Sequence, residues 1–102
     1  MSLIYEVNIE VDAAIEDDYR SWLRAHVAEI LALPGFIDAQ LFDVLEPPPA
    51  DGRVALCMHY RLDDAAALEA YLREHAPRLR AEGVARFGGR FSAARRVLLP
   101  QA

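Results

Sequence analysis

The sequence predicts an α+β domain in the order β-α-β-β-α-β, and three observations carry it. Tyr5–Val11 reads YEVNIEV, in which Tyr5, Val7, Ile9 and Val11 alternate with Glu6, Asn8 and Glu10; period two with one apolar side is a half-buried strand. The stretch AAIEDDYRSWLRAHVAEILAL places its apolar residues at helical spacing instead. A chain of 102 residues with 54% hydrophobic content supports one core, so residues 1–102 are read as one domain.

The first strand runs about Leu3–Val11, and Asp12 is placed to cap the helix that follows. On that helix Ile15, Tyr19, Trp22, Leu23, His26, Ile30 and Leu33 share a face. Acids fill its first turns, as the helix dipole favours, and Pro34-Gly35 ends it. FIDAQLFDVLE, Phe36–Glu46, is the second strand. The three prolines of EPPPADGR cannot sit inside a paired strand and mark a loop. RVALCMHYRL, Arg53–Leu62, is the third strand; Asp63 or Asp64 then caps a helix whose apolar face is Leu68, Tyr71, Leu72, His75 and Leu79. Pro77 has no amide hydrogen to donate and kinks or restarts this helix after His75-Ala76. A glycine turn leads to a fourth strand, about Arg90–Leu99.

In this order, right-handed crossovers give the split βαβ, ferredoxin-like arrangement: a four-stranded antiparallel sheet, the first strand between the third and fourth, and both helices on one face. The helix-covered face is then Tyr5, Val7, Ile9, Ile37, Ala39, Leu41, Leu56, Met58, Tyr60, Phe91, Ala93 and Val97. The other face gathers Glu6, Asn8, Glu10, Gln40, Phe42, Val44, Cys57, His59, Arg61, Ser92, Ala94 and Arg96. Such a mixed face with no helix left to cover it points to an interface or a cleft. A bulge at Arg95-Arg96 would exchange which arginine faces which way.

Composition narrows the function classes. The net charge of −5 argues against general nucleic-acid binding, which needs a basic footprint. No apolar run approaches a membrane span, no export signal opens the chain, and the single cysteine, Cys57, fits a reducing cytoplasm. All eleven basic residues are arginine. Seven of them (Arg73, Arg78, Arg80, Arg86, Arg90, Arg95, Arg96) lie in residues 73–102 beside only Glu74 and Glu82. They either pair with the acids of the first two thirds or form an anion site for a carboxylate or phosphate.

The βαββαβ order with an uncovered sheet face resembles the dimeric α+β-barrel superfamily, in which two ferredoxin-like protomers pack sheet to sheet. Antibiotic-biosynthesis-type monooxygenases, haem-degrading monooxygenases and muconolactone-isomerase-like enzymes belong to it. Within it, YEVNIEVD, DYRSWLRAHVAEILALPGF and YLREHAPRLRAEGVARFGGRFSAARRVL resemble a small bacterial family catalogued only as a domain of unknown function. The resemblance implies the fold and a homodimer through the uncovered face; it implies no activity. Haem degraders share an asparagine on the first strand, a tryptophan near the second helix and a ligating histidine on that helix. Asn8 matches the first and His75 approximates the third, but the only tryptophan, Trp22, lies on the first helix. Haem is therefore a lesser option, and no cofactor is required by the sequence.

The candidate catalytic residues are Asn8, His26 and His75; Glu6, Trp22, His59 and Arg61 join them as candidate ligand contacts. The two helix histidines are either packed residues with one nitrogen bonded or proton carriers at a pocket rim. Cys57 and His59 point the same way from one strand with Glu6 or Glu10 nearby, yet nothing else follows a metal-ligand spacing, so no metal site is assigned. Glu6 and Glu10 either pair with Arg61 and Arg96 across strands, or one of them is a general acid or base whose pKa desolvation raises. Two functions follow. One is a small-molecule binder, as a cofactor-independent monooxygenase or isomerase, with a pocket between sheet and helices lined by Asn8, Trp22, His26, His59 and His75. The other is a non-enzymatic homodimeric interaction module.

Overall fold

A computed structural model describes residues 1–101. Its elements are β1 (Leu3–Asp12), a 3-10 turn (Ala13–Ile15), α1 (Glu16–Leu31), β2 (Phe36–Asp43), β3 (Arg53–Leu62), α2 (Ala65–Glu74), α3 (Ala76–Phe87), a second 3-10 turn (Gly88–Arg90) and β4 (Phe91–Leu98). The sheet order is β2-β3-β1-β4, every pair antiparallel. This is the ferredoxin-like arrangement that the element order predicts.

Register follows from the alternation. Tyr5 lies opposite Tyr60 and Val97, Val7 opposite Met58 and Arg95, and Ile9 opposite Leu56 and Ala93. Tyr5, Ile9, Leu56, Met58 and Tyr60 are each 3% exposed or less, as befits the face that the helices cover. The helices answer with Tyr19, Leu23 and Ile30 from α1, Leu68 and Tyr71 from α2, and Ala76, Leu79 and Phe87 from α3. Burying one such large side chain contributes about 1.5–3 kcal/mol. The β1–β4 register is continuous through Arg95 and Arg96, so Arg95 lies on the helix side and Arg96 on the open side without a bulge.

Four expectations change. The irregularity of β2 falls at Ile37, where the register with β3 shifts between Phe36 and Asp38. Phe36 therefore packs edge-on against Tyr60 and Tyr71, while Ile37 is left 45% exposed. The second strand ends at Asp43 rather than Glu46, because the proline-rich loop begins to draw the chain away. Asp12 makes no side-chain cap to the first turn and instead forms an ion pair with Arg53. Leu72 is 38% exposed, at the edge of the α2 stripe rather than within it.

The second helix does break where Pro77 requires. His75 closes α2 with φ −126° and ψ −39°, and α3 restarts with Pro77 in its first turn, where a missing amide hydrogen costs nothing. Asp64 is the cap of α2, its carboxylate accepting the Ala67 amide at 2.9 Å. Gly35 adopts φ +86°, and a Cβ there would meet the Ala67 Cβ at 2.4 Å. Only glycine allows that turn and that approach together.

Candidate active site

Two aromatic groups line the space between helices and sheet. Tyr19, Trp22, Phe87 and Phe91 pack with ring centroids 5.1 to 6.4 Å apart. Tyr5, Phe36, Tyr60 and Tyr71 form the second group at 5.1 to 6.2 Å. Between the two lies a cavity of about 350 Å³, lined by Tyr5, Tyr19, Tyr60, Tyr71, Trp22, His26, Arg80, Arg95 and apolar neighbours. Its volume is at the lower end for a small-molecule site. A second cavity of about 220 Å³ lies on the other side of α1, against Ala39, Leu41 and Met58.

His26 is the one imidazole among the larger cavity's lining residues. Four residues after Trp22 on α1, it lies one turn on, and its ring stacks on the indole at 4.6 Å and 20°. Its Nδ1 is buried with no hydrogen-bond partner among the described residues. Burial pushes the imidazole below its usual pKa; Arg95 adds to this, while Glu29 and Glu82 oppose it. The neutral form of the ring is thereby favoured. The surrounding phenols stay protonated: burial raises Tyr19 and Tyr71 to about 12 and raises Tyr60 further. They are hydrogen-bond donors, and Tyr5 accepts one such bond from Arg80 Nη2 at 2.8 Å.

The open face carries a different construction. Glu6 is 5% exposed, yet its carboxylate is held down to about 2, chiefly by the Arg96 hydrogen bond. Arg96 Nε donates to Oε1 at 2.6 Å and Asn8 Nδ2 to the same oxygen at 2.7 Å. His59 Nε2 meets Oε2 at 2.8 Å. Potential ligand atoms of Glu6, Cys57 and His59 lie within 4.8 Å of one another. Both Glu6 oxygens are already engaged, and burial together with the Glu6 charge pushes the Cys57 thiol up. The cluster is thereby a paired buried charge. Glu10, four residues after Glu6, accepts the Ala50 amide at 3.3 Å.

The predicted site residues therefore divide. Trp22 and His26 line the cavity; Glu6, Asn8 and His59 belong together on the opposite sheet face, so the five residues expected to share one pocket do not. Strand alternation is the reason, since Asn8 and His59 point away from the helices by their position in the pleat. His75 is half-buried at the joint between α2 and α3 and is not among the cavity's lining residues. Arg61 pairs with Asp38 rather than with Glu6 or Glu10, because Ile4 is its neighbour on β1 and the β2 register places Asp38 opposite. Arg80 and Arg95 are lining residues that pattern reading did not single out, although both fall in the arginine-rich last third.

Helices on one sheet face, an open face behind, and a cavity between helices and sheet define a protein of the ferredoxin-like α+β fold. The chain belongs to the DUF4286 family, a domain of unknown function whose family model matches residues 2–101. No curated protein matches the chain by sequence. Among solved structures, Rv0793 from Mycobacterium tuberculosis is similar at a TM-score of 0.69 and 21% identity, over 100% of this chain and 97% of that one. A conserved protein from Methanosarcina mazei gives 0.74 at 14% identity, over 99% and 94%. A mutant of SnoaB, a cofactor-independent oxygenase from Streptomyces nogalater, gives 0.70 at 12% identity, over 98% and 94%. At these identities the likeness is one of fold.

Proposed function

We propose that the protein binds a small, flat organic molecule in the cavity between helices and sheet, and that neutral His26 removes a proton from it. The observation that carries this reading is His26 itself, an imidazole stacked on Trp22 among the lining residues of an aromatic cavity, with its Nδ1 left unbonded among the described residues. A native fold leaves few buried nitrogens unbonded, and each calls for an explanation. Proton removal is the first step common to two cofactor-independent chemistries. In an isomerase the His26 proton returns to a different carbon of the same molecule. In an oxygenase the carbanion passes electrons to O₂, and the similarity in fold to SnoaB, a cofactor-independent oxygenase, supports that branch. His26 takes the proton, Trp22 holds the imidazole ring by stacking, and the protonated tyrosines donate to the oxyanion that develops on the substrate.

The test is hydrogen–deuterium exchange at the acidic C–H positions of 2-tetralone, followed by NMR in D₂O. The wild-type protein should accelerate exchange by about 10²-fold, the lower range for a positioned general base, and His26→Phe should abolish the acceleration. Equal rates for the two proteins remove His26 from the role.

We also infer that the open sheet face is covered by a second copy of the chain. What supports this is the pairing of Glu6 within its own chain, which leaves a largely neutralised surface edged by exposed Phe42. Should no small molecule bind, this surface makes the protein a homodimeric interaction module. A reducing cytoplasm suits the lone Cys57 in either reading.

A further inference from the structure

We propose that the molecule bound in the cavity is an aromatic carboxylate, its ring between the two aromatic groups and its carboxylate against Arg80 and Arg95. This rests on the cavity reading above and names its substrate class.

The cavity is lined without a single aspartate or glutamate, in a chain that carries sixteen acids and a net charge of −5. Its charged lining residues are Arg80 and Arg95, both exposed to solvent. Six other arginines meet acids: Arg20 with Glu16 and Asp43, Arg53 with Asp12, Arg61 with Asp38, Arg73 with Glu74, Arg78 with Glu29 and Glu82, Arg96 with Glu6; among the described residues Arg24, Arg86 and Arg90 do not, and none of these three lines the cavity. Among the described residues neither Arg80 nor Arg95 forms an ion pair. The two reach the same region. Arg80 donates to the Tyr5 hydroxyl, while Arg95 lies opposite Val7, the next helix-facing position along β1. Both cations act on the Tyr71 phenol, each opposing the effect of its burial. Two unpaired guanidiniums beside an apolar cavity are matched by one organic anion. One Nη2 of Arg80 is already engaged by Tyr5, so the uncommitted planar fork is that of Arg95, and one fork fits the two oxygens of a carboxylate. A phosphate dianion would ask for more donors.

Isothermal titration of the intact protein with 2-naphthoate, its neutral isostere 2-naphthamide, and 2-naphthyl phosphate tests this. The carboxylate should bind about tenfold more tightly than the amide, and raising salt should weaken the carboxylate alone. Arg95→Gln, an exposed substitution, should remove that preference while leaving the amide's affinity unchanged. Equal binding of carboxylate and amide, or a preference that survives in Arg95→Gln and in Arg80→Gln, overturns the charge assignment and leaves the cavity reading standing. Tighter binding of the phosphate overturns the choice of carboxylate. Failure of all three probes to bind overturns the cavity reading and this inference together.

Discussion

The imidazole of His26 lies flat on the indole of Trp22, with centroids 4.6 Å apart and planes 20° from parallel. The stack fixes the ring while leaving Nδ1 buried and without a partner. It is a costly arrangement for a packing residue, since an unsatisfied buried nitrogen forfeits about 1–3 kcal/mol.

That cost predicts a separation of stability from function. His26→Phe keeps a flat ring on Trp22 and removes the orphan nitrogen. It should match or exceed the wild type in stability at pH 7, by up to about 1 kcal/mol, while losing proton-transfer activity. The pH dependence has a definite sign. The folded pKa lies below the usual 6.5, so the contribution is fully present above pH 6.5 and is lost as pH falls through the folded value. The wild-type Tm should fall over that window, at about 4–8 °C per kcal/mol, and the His26→Phe curve should be flatter there, as measured by calorimetry at a series of pH values.

Glu6 predicts a lower window. Its carboxyl is held from 4.5 down to about 2, so its stabilisation is complete above pH 4.5 and is lost as pH falls through about 2. The Arg96 side chain is 67% exposed, and water screens the pair; the contribution is expected to be about 1–2 kcal/mol. Glu6→Gln should cost that amount in urea denaturation at pH 7 and show less acid sensitivity between pH 4.5 and 2.

Gly35→Ala should destabilise by about 2–4 kcal/mol. The left-handed backbone costs an alanine about 1–2 kcal/mol, and displacing Ala67 from a Cβ contact of 2.4 Å adds an overpacking term. Gly52 also has positive φ, but nothing lies within 4 Å of its Cβ position. Gly52→Ala should therefore cost about half as much, and thermal melts of the two variants side by side check the difference.

Phe42 is 38% exposed on the open sheet face and packs edge-on to His59 at 5.2 Å. If a second copy covers that face, Phe42→Arg buries a charge at the contact, and sedimentation velocity should find a dimer for wild type and a folded monomer for the variant. Identical sedimentation of the two places the contact elsewhere.

Most of the fold was legible in the sequence because its signals are local and periodic. YEVNIEV fixes which face of β1 is buried, the helical spacing around Trp22 fixes the stripe of α1, and Pro77 marks the joint between α2 and α3. The departure at Ile37 is a one-residue irregularity in strand pairing, and a bulge has no marker in the side chains FIDA. The site was legible only in part. Trp22 and His26 follow from the helix stripe. Asn8 and His59 were grouped with them although alternation already sets them on the far side of the sheet. Arg80 and Arg95 could be seen as cations but not as lining one cavity, which depends on how α3 packs against the sheet and is a property of the folded molecule.

Trp22 is the only tryptophan of the chain, and it forms part of the cavity wall. All indole emission from this protein therefore originates at the candidate site. A protonated imidazole quenches a stacked indole, and a bound molecule changes the polarity around it. The protein thus carries its own optical probe: one emission spectrum, followed against pH and against added compound, reports both the charge on His26 and the filling of the space beside it, with no label attached.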